Sequence, residues 1–322
     1  MTTAQDKHPQ PLVGIGSCLA GNEVRYDGQS KAANIHVQRM RECFDTRPFC
    51  PEMAIGLGVP RPPIQVAGEP DDLRVVDVAT RQQDVTQPLK DFAQQVLNNN
   101  PTMAGYILVK GSPSCGFDRV KRFNKEGRLV ARDSQGVFAA TLATIDPLLP
   151  LEDDGRLNDP GLRESFVTRV FTYHQWRELC AEGLDAGKLV SFYSRHKYLV
   201  MAHDVPSYRK IGKMLANAGK EDIEELGQAF ITELMTALTK RTSRRSHANV
   251  LFHIAGYLRK KIAPPERQRL SDLIEQYRLS AVPLIVPITL LKHHFANHPN
   301  AYIDQQAFLS PFPDQLQIRN VT

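Results

Sequence analysis

The first part of the chain contains three short apolar runs, with one amphipathic stretch between the second run and the third. The runs PLVGIG at 11–16, RVVDV at 74–78 and GYILV at 105–109 are typical of buried strands. The stretch at 84–99 predicts a helix, because its apolar side chains recur every three or four residues. Strands that alternate with helices favour an α/β layer with a mostly parallel sheet, of the Rossmann-like kind. The apolar positions of the predicted helix are Val85, Leu89, Phe92 and Val96.

The pattern changes to an almost entirely helical one in the second half. A stretch rich in Pro, Asp and Gly at 146–160 marks the change and is typical of a linker. EDIEELGQAFITELMTAL within 221–240 is amphipathic and carries acids in its first turn, where the helix dipole favours them. We therefore predict an α/β domain over 1–150 and an all-α domain over 151–322. The predicted helices cover about 161–182, 188–202, 206–219, 221–240, 246–260, 264–279 and 285–297.

Composition places the chain among globular proteins. It has 322 residues, 42% hydrophobic and 23% charged, which is close to the globular average. The apolar run at 279–291 is short and interrupted by proline, and the N-terminal residues are polar. We expect a soluble cytoplasmic protein that does not enter a membrane. The oligomeric state does not follow from the sequence.

The five cysteines are odd in number and come without a secretion signal, so a disulfide framework is improbable. Cys18 and Cys115 follow predicted strand ends, and we expect the same of Cys50. Active sites of parallel sheets lie beyond those ends. Sulfur ligands select iron–sulfur clusters, zinc or copper(I), although single cysteines are often small buried hydrophobes. Cys43 and Cys180 lie in helical segments, and we expect them to be such hydrophobes.

Three sequence blocks around these cysteines resemble the thiouracil desulfidases of the TudS type. The blocks are SCLAGNEVRYDG at 17–28, CPE at 50–52 and KGSPSCG at 110–116. The resemblance covers about residues 11–150. One departure is Val24, where relatives carry a further cysteine, and this puts an accessory thiol in doubt.

The helical half is similar to the YbgA-type domain. Its blocks are HKYLVMAHD at 196–204, HANVLFHIAGYLRK at 247–260 and a Pro-rich stretch at 281–287. The two domains in this order resemble the RudS-type family, which implies removal of sulfur from 4-thiouridine in tRNA.

The resemblance implies a 4Fe-4S cluster held by Cys18, Cys50 and Cys115, with the fourth iron open to substrate. That iron would bind the thiocarbonyl sulfur, water would attack the carbon, and sulfide would leave without net redox chemistry. This chemistry is reasonable because iron is thiophilic and an open site acts as a Lewis acid.

Four residues in the blocks suit the accompanying acid–base chemistry. Glu52 is the only acid in a block beside a predicted ligand, so it could move protons, or it could cap a helix. Ser112 and Ser114 could hold the pyrimidine or the water, or serve as turn residues. The resemblance favours Ser112 over Ser114. Lys110 could stabilise developing negative charge.

The RYDG segment at 25–28 is typical of a tight turn that ends in glycine. Alternatively, Arg25, Tyr26 and Asp27 could reach the nucleobase by hydrogen bonds or stacking. We therefore name these three as candidate substrate-binding residues.

Positive charge is concentrated in one stretch of the helical half. Net charge is +5, and residues 240–261 contain seven Lys and Arg and no acid. Phosphate contacts dominate nucleic-acid affinity, and neighbouring His and Tyr suit base stacking. The alternative is a solvated helix face. The candidate tRNA-binding residues are Arg241, Arg244, Arg245, His247 and Lys260.

The favoured hypothesis is an iron–sulfur desulfidase that acts on tRNA. A second hypothesis has the same domain act on free thiouracil while the helical domain serves oligomerisation. A third is a non-catalytic protein that binds zinc and nucleic acid. Metal-free hydrolysis with Cys115 as nucleophile is weaker, because no histidine in the first half is well placed to be its base.

Overall fold

The chain divides into two compact units between Asp159 and Pro160 in the computed structural model, which describes residues 10–31 and 33–320. The boundary therefore lies later than the predicted 150/151. The reason is that residues Leu151–Asp153 form a strand that pairs with Gly105–Leu108 in the first unit.

The first unit combines strands with short helices. Its strands are β1 (Leu12–Gly16), β2 (Asp45–Phe49), β3 (Ile64–Ala67), β4 (Arg74–Asp77), β5 (Gly105–Leu108), β6 (Val120–Phe123), β7 (Leu129–Ser134) and β8 (Leu151–Asp153). Its helices are α1 (Ile35–Arg41), α2 (Pro51–Ala54), α3 (Thr86–Asn98) and α4 (Val137–Ile145).

One sheet is fully parallel, with strand order β2-β1-β5-β8. β1 and β5 are buried along their whole length, as expected for central strands covered on both faces. β2, with the sequence DTRPF, is an edge strand, and its Pro48 is tolerated there because an edge leaves one row of N–H groups unpaired. The predicted parallel α/β architecture is confirmed.

A second sheet, with order β4-β3-β6-β7, was not predicted. β3 runs parallel to β6, while β3/β4 and β6/β7 are antiparallel pairs. The RVVDV strand belongs to this sheet rather than to the parallel one. Its apolar side chains pack against α3 and α4, and the buried cluster comprises Val66, Val75, Val85, Leu89, Val120 and Val137.

The second unit is helical, as predicted. Its core includes a ring cluster in which Trp176, Phe192 and Phe230 lie with centroids 5.5–6.1 Å apart. None of the helices within the described residues is both long and apolar enough to cross a membrane. The helices are α5 (Pro160–Ala181), α6 (Ala186–His203), α7 (Val205–Met214), α8 (Ile223–Thr239), α9 (Arg244–Ala255), α10 (Pro264–Arg278), α11 (Ile285–Asn297) and α12 (Ala301–Asp304).

Two glycines allow elements to approach closely around the ends of the parallel strands. A Cβ on Gly14 of β1 would lie 2.2 Å from the Tyr106 ring, so only glycine leaves room for that ring. Gly136 caps α4 and donates its N–H to the Gly116 carbonyl at 2.8 Å. A methyl group on Gly136 would lie 2.5 Å from the carbonyl carbon and oxygen of Ser114. The start of α4 therefore fixes the backbone that leads into Cys115.

We expect Gly136→Ala to destabilise the first unit by about 1–3 kcal/mol, because the added methyl overpacks rigid backbone. Gly212→Ala is the matched control. Gly212 lies exposed in α7 with no atom within 4 Å of an added Cβ, so this change should be neutral or stabilising by about 0.5–1 kcal/mol. Urea unfolding of both variants checks the prediction. Equal stability of the two variants would contradict it.

Candidate active site

Three cysteines lie at the carboxyl ends of three adjacent parallel strands. Cys18 sits in the 3₁₀ turn Ser17–Ala20 directly after β1, and Cys50 is the N-cap of α2 directly after β2. Cys115 follows β5 in the loop that joins it to β6. All three line one cavity of about 280 Å³. The strand order, rather than closeness in sequence, brings these side chains together.

The loop that carries Cys115 is held by its own hydroxyl and backbone groups. Ser112 Oγ accepts from the Cys115 N–H at 3.3 Å and from the Cys115 thiol at 3.4 Å. The Gly116 N–H donates to the Ser112 carbonyl at 2.9 Å. Ser112 is therefore in direct contact with one of the three sulfurs.

The three thiols retain their protons at neutral pH when no metal group is bound. Burial raises the pKa of Cys115 to about 12, and the Glu52 and Cys18 charges add to this effect. Burial also raises the pKa of Cys18 and of Cys50, and a charge on Cys50 raises that of Cys18 further. Binding of a cationic metal group would release these protons, because metals bind the thiolate form.

Glu52 connects to the Cys115 loop through a hydroxyl. Its Oε1 accepts from Ser114 Oγ at 2.7 Å, and Ser114 Oγ lies 3.0 Å from Ser112 Oγ. Ser114 is fully buried, whereas Ser112 is half-buried. Glu52 stands in the first turn of α2, but its carboxylate is engaged with Ser114 and Arg61. The arrangement forms a hydrogen-bonded path from the carboxylate to the sulfur of Cys115.

Arg61 is a member of the cavity wall that the sequence analysis missed. Its side chain is 3% exposed, and its guanidinium donates from Nε to Glu52 Oε2 at 2.8 Å. It also donates to the Val24 carbonyl at 2.9 Å and to the Gly58 carbonyl at 2.8 Å. An arginine within VPRPP resembles an exposed loop residue, so the local pattern carries no sign of this burial.

A second cation, also missed from sequence, reaches the cavity from the loop before α1. Lys31 Nζ lies 2.8 Å from Asp154, just beyond the end of β8. The same Asp154 carboxylate accepts from the backbone N–H of Lys110 at 2.8 Å, and Lys110 is one of the residues that line the cavity. Asp154, directly after β8, thus positions two lysines at the site.

The RYDG segment is a tight turn, as one of the two alternatives expects. The Gly28 N–H donates to the Arg25 carbonyl at 2.9 Å, and Gly28 has φ +78°. Arg25 and Tyr26 line the cavity, whereas Asp27 does not. Asp27 accepts from the Gln29 N–H and pairs with Arg25, so its carboxylate stabilises the turn. The candidate substrate-binding set is corrected by removing Asp27.

The residues present fit an iron–sulfur group. Three soft sulfur donors surround one cavity, which is the donor set that such clusters take. The Tyr106 hydroxyl is buried without a hydrogen-bond partner among the described residues. Burial raises its pKa, and negative charge on any of the three thiols would raise that pKa further. Within residues 10–31 and 33–320, no three His, Cys, Asp or Glu side chains form a site for a single metal ion.

The predicted tRNA-binding residues separate into exposed and anchored side chains. Arg241, Arg245 and Lys260 are exposed. His247 is 6% exposed and its Nδ1 bonds the Tyr277 hydroxyl at 2.8 Å, so its assignment to an RNA surface is wrong. Arg244 is half-buried and donates to two backbone carbonyls, those of Tyr277 and Val282, so its guanidinium mainly serves the fold.

Comparison with known proteins divides the chain in the same way. Residues 13–154 match the family model described as 2-thiouracil desulfurase, and residues 197–313 match DUF1722, a family of unknown function.

Two curated relatives and one solved structure each match part of the chain. The uncharacterized protein YbgA of Escherichia coli strain K12 is 32% identical over a match that spans 49% of this chain and 94% of YbgA. The uncharacterized protein YbbK of Bacillus subtilis strain 168 is 28% identical over a match that spans 41% of this chain and 89% of YbbK. The solved structure of the 4Fe-4S-dependent thiouracil desulfidase TudS is 31% identical over a match that spans 46% of this chain and 94% of the TudS chain, with a TM-score of 0.38.

We expect two buried histidines to make the helical unit acid-sensitive. Burial lowers the pKa of His247 to about 3 and that of His196 to about 4. Unfolded histidines take up a proton below about pH 6.5, so the neutral folded forms are stabilising above that pH. Stability should fall between about pH 6.5 and pH 4, by about 1 kcal/mol per pH unit for each histidine.

Thermal unfolding from pH 7 to pH 5 measures this effect. His247→Gln should show a weaker pH dependence than the unmodified protein, whatever its absolute stability. His253→Gln, at an exposed histidine in the same helix, should leave the dependence unchanged. Parallel pH dependences for the unmodified protein and His247→Gln would contradict the assignment.

Proposed function

We propose that this chain removes sulfur from 4-thiouridine in tRNA. The chain belongs to the family that joins a 2-thiouracil desulfurase domain to a DUF1722 domain. The reaction consumes one water, breaks the carbon–sulfur bond and releases uridine and sulfide. It is a hydrolysis without net redox change. The cofactor we propose is a 4Fe-4S cluster held by Cys18, Cys50 and Cys115.

The observation that carries this proposal is the convergence of three thiols and one carboxylate on a single cavity. The carboxyl ends of β1, β2 and β5 bring the three sulfurs there, and α2 brings Glu52. Thiophilic metal chemistry and proton transfer are the two requirements for hydrolysis of a thiocarbonyl. Both are met by side chains that line the same space.

When bound, a cluster with three protein ligands supplies a Lewis acid for the substrate sulfur, which makes that sulfur a better leaving group. The protein's own contribution is to move protons. Ser112 is the half-buried hydroxyl at the cavity, and Ser114 connects it to Glu52 Oε1. Glu52 accepts a proton from the attacking water through this path and returns it to the departing sulfide.

Cations and one aromatic ring in the cavity suit a polar pyrimidine. Lys31 and Lys110 reach the cavity beside the sulfurs and stabilise negative charge that develops on the pyrimidine oxygen. Tyr26 is 46% exposed at the wall, with the Arg25 guanidinium 5.9 Å from its ring centroid. These two side chains are suited to stacking on a base and to contacting its phosphate.

Support for a polynucleotide substrate comes from the surface of the helical unit. Arg245, Arg259 and Lys260 are exposed, and the described residues place no carboxylate within ion-pair distance of them. Tyr257 is 41% exposed and its ring lies 5.8 Å from that of Tyr302. Lys197 Nζ stands 4.7 Å from the Tyr302 ring centroid. A tyrosine pair beside cations suits an unpaired base and its phosphate.

We expect the reconstituted protein, prepared without oxygen, to abolish the near-ultraviolet absorbance of 4-thiouridine in tRNA. Cys115→Ala should be inactive, and Glu52→Gln should lower kcat by about 10²–10⁴-fold because it removes the proton acceptor. Cys43→Ala is the matched control, since Cys43 is buried but lies outside the cavity. Its activity should equal that of the unmodified protein.

Parallel assays with free 2-thiouracil distinguish the alternatives. Turnover of the free base but not of tRNA would retain the desulfidase and assign the helical unit another role, such as oligomerisation. Absence of turnover on both substrates, from protein with a full iron and sulfide content, would overturn the proposed activity.

We expect Tyr257→Ala to weaken binding of an unstructured oligouridylate by about tenfold, because it removes a base-stacking surface. Tyr257→Phe keeps the ring and should bind normally. Lys260→Gln should instead lower the dependence of affinity on salt, by about 0.7 in the logarithmic slope for one lost phosphate contact. Fluorescence anisotropy over a salt series measures both effects. Equal binding by Tyr257→Ala and Tyr257→Phe would rule out stacking at this site.

A further inference from the structure

The guanidinium of Arg61 has all five of its N–H donors directed at protein atoms. Nε and Nη2 both donate to Glu52 Oε2, and Nη2 also donates to the Val24 carbonyl. Nη1 donates to the Gly58 carbonyl at 2.8 Å and approaches Met53 Sδ at 3.7 Å. A guanidinium saturated in this way has no donor left for substrate. Arg61 therefore lines the cavity without being a substrate-binding cation.

The two oxygens of Glu52 have different partners as a consequence. Oε2 is occupied by two charge-assisted hydrogen bonds from Arg61, while Oε1 faces the Ser114 hydroxyl at 2.7 Å. Rotation of the carboxylate would break both bonds to Arg61. The guanidinium thus fixes the orientation of the carboxylate, with one oxygen held by Arg61 and the other directed at Ser114.

Arg61 also joins the two loops that flank this carboxylate. Its backbone N–H donates to the Tyr26 carbonyl at 3.0 Å, and its side chain holds the Val24 carbonyl. The same Val24 carbonyl accepts from the Cys50 thiol at 3.8 Å. One residue therefore sets the position of Glu52 relative to the loop that carries Arg25 and Tyr26.

We infer that Arg61 is a positioning residue for Glu52. It saturates Oε2 and so makes Oε1 the oxygen that exchanges a proton with Ser114. In that exchange Oε1 takes the hydroxyl proton of Ser114, Ser114 Oγ takes that of Ser112, and Ser112 Oγ takes one from the attacking water. The negative charge thereby moves from Glu52 to the attacking oxygen. This inference rests on the proposed function, because it gives Glu52 its role.

Lysine cannot replace Arg61 at this position. A lysine ammonium has three donors on one nitrogen, whereas Arg61 holds a carboxylate oxygen, two carbonyls and a thioether from three nitrogens. Arg61→Lys keeps the positive charge but loses the fixed geometry. We expect it to lower kcat by about 10- to 100-fold, because the proton acceptor is misplaced. KM should rise by a smaller factor, because the Val24 carbonyl in the loop before Arg25 and Tyr26 loses its donor.

The decisive test is a double-mutant cycle with Glu52→Gln. A residue that acts through Glu52 has no further effect once Glu52 is disabled, so Arg61→Lys should change kcat by no more than about twofold in that background. Iron and sulfide content, read from visible absorbance, should match that of the unmodified protein. Equal losses of kcat in both backgrounds, or loss of the iron–sulfur group in Arg61→Lys, would overturn the inference.

Arg122→Lys is the matched control. Arg122 is also buried and holds Asp133 with bonds of 3.0 Å from Nε and Nη2, yet it lies in the second sheet and outside the cavity. Its replacement should leave kcat unchanged even if the protein loses some stability. A loss of kcat equal to that of Arg61→Lys would mean that general destabilisation explains both variants.

A crystal structure of Arg61→Lys tests the inference independently of turnover. The expected result is loss of the 2.7 Å contact between Glu52 Oε1 and Ser114 Oγ. Persistence of that contact would overturn the inference. If the unmodified protein turns over neither substrate, the proposed function fails, and this structure still decides whether Arg61 positions Glu52.

Discussion

The parallel pairing of β2, β1 and β5 is the constraint on which the site depends. Parallel strands end at the same edge, so residues far apart in sequence are delivered to one place. Cys50, Cys18 and Cys115 each follow one of these strands, and the strands are neighbours in the sheet. A reversal or shift of one strand would remove a sulfur from the cavity. Even the surrounding glycines serve this geometry, since Gly14 admits the Tyr106 ring and Gly136 the Cys115 loop.

Charge in the cavity is balanced by specific partners. The Glu52 carboxylate is held by Arg61, and Lys31 is held by Asp154. Buried charges are costly unless they are paired and hydrogen-bonded, so these partners make a polar cavity compatible with a folded protein. The thiols meet the same requirement by staying protonated, since burial raises the pKa of each. Binding of a metal group would release those protons, and its positive charge would then balance the thiolates.

The core of the helical unit contains aromatic residues and several histidines, while some of its cations lie on the surface. His196 stacks on Phe192 with centroids 4.2 Å apart, and His247 bonds Tyr277. Burial lowers the pKa of both histidines, which keeps them neutral in the core. His247, which lies in the basic segment 240–261, therefore does not share a surface with the neighbouring arginines. The exposed Arg245, Arg259 and Lys260 are suited to phosphates.

The sequence alone determined the parallel α/β unit, the helical unit and the three cysteine blocks. Periodicity identifies β1, β5 and α3 because they are apolar along one or both faces. The three cysteine blocks can be recognised because each is a short continuous stretch of sequence. The sequence could not predict the second sheet, because its strands are short and β7 is mostly exposed.

Tertiary structure alone decided the remaining members of the site. Arg61, Lys31 and Asp154 belong to segments with no local pattern that marks them, and only the packing of loops brings them to the cysteines. Tertiary structure also decided that Asp27 stabilises a turn and that His247 is buried. The physical reason is common to all of these residues. A side chain's burial and partners depend on segments that are distant in sequence, so they follow from the packed chain rather than from its local pattern.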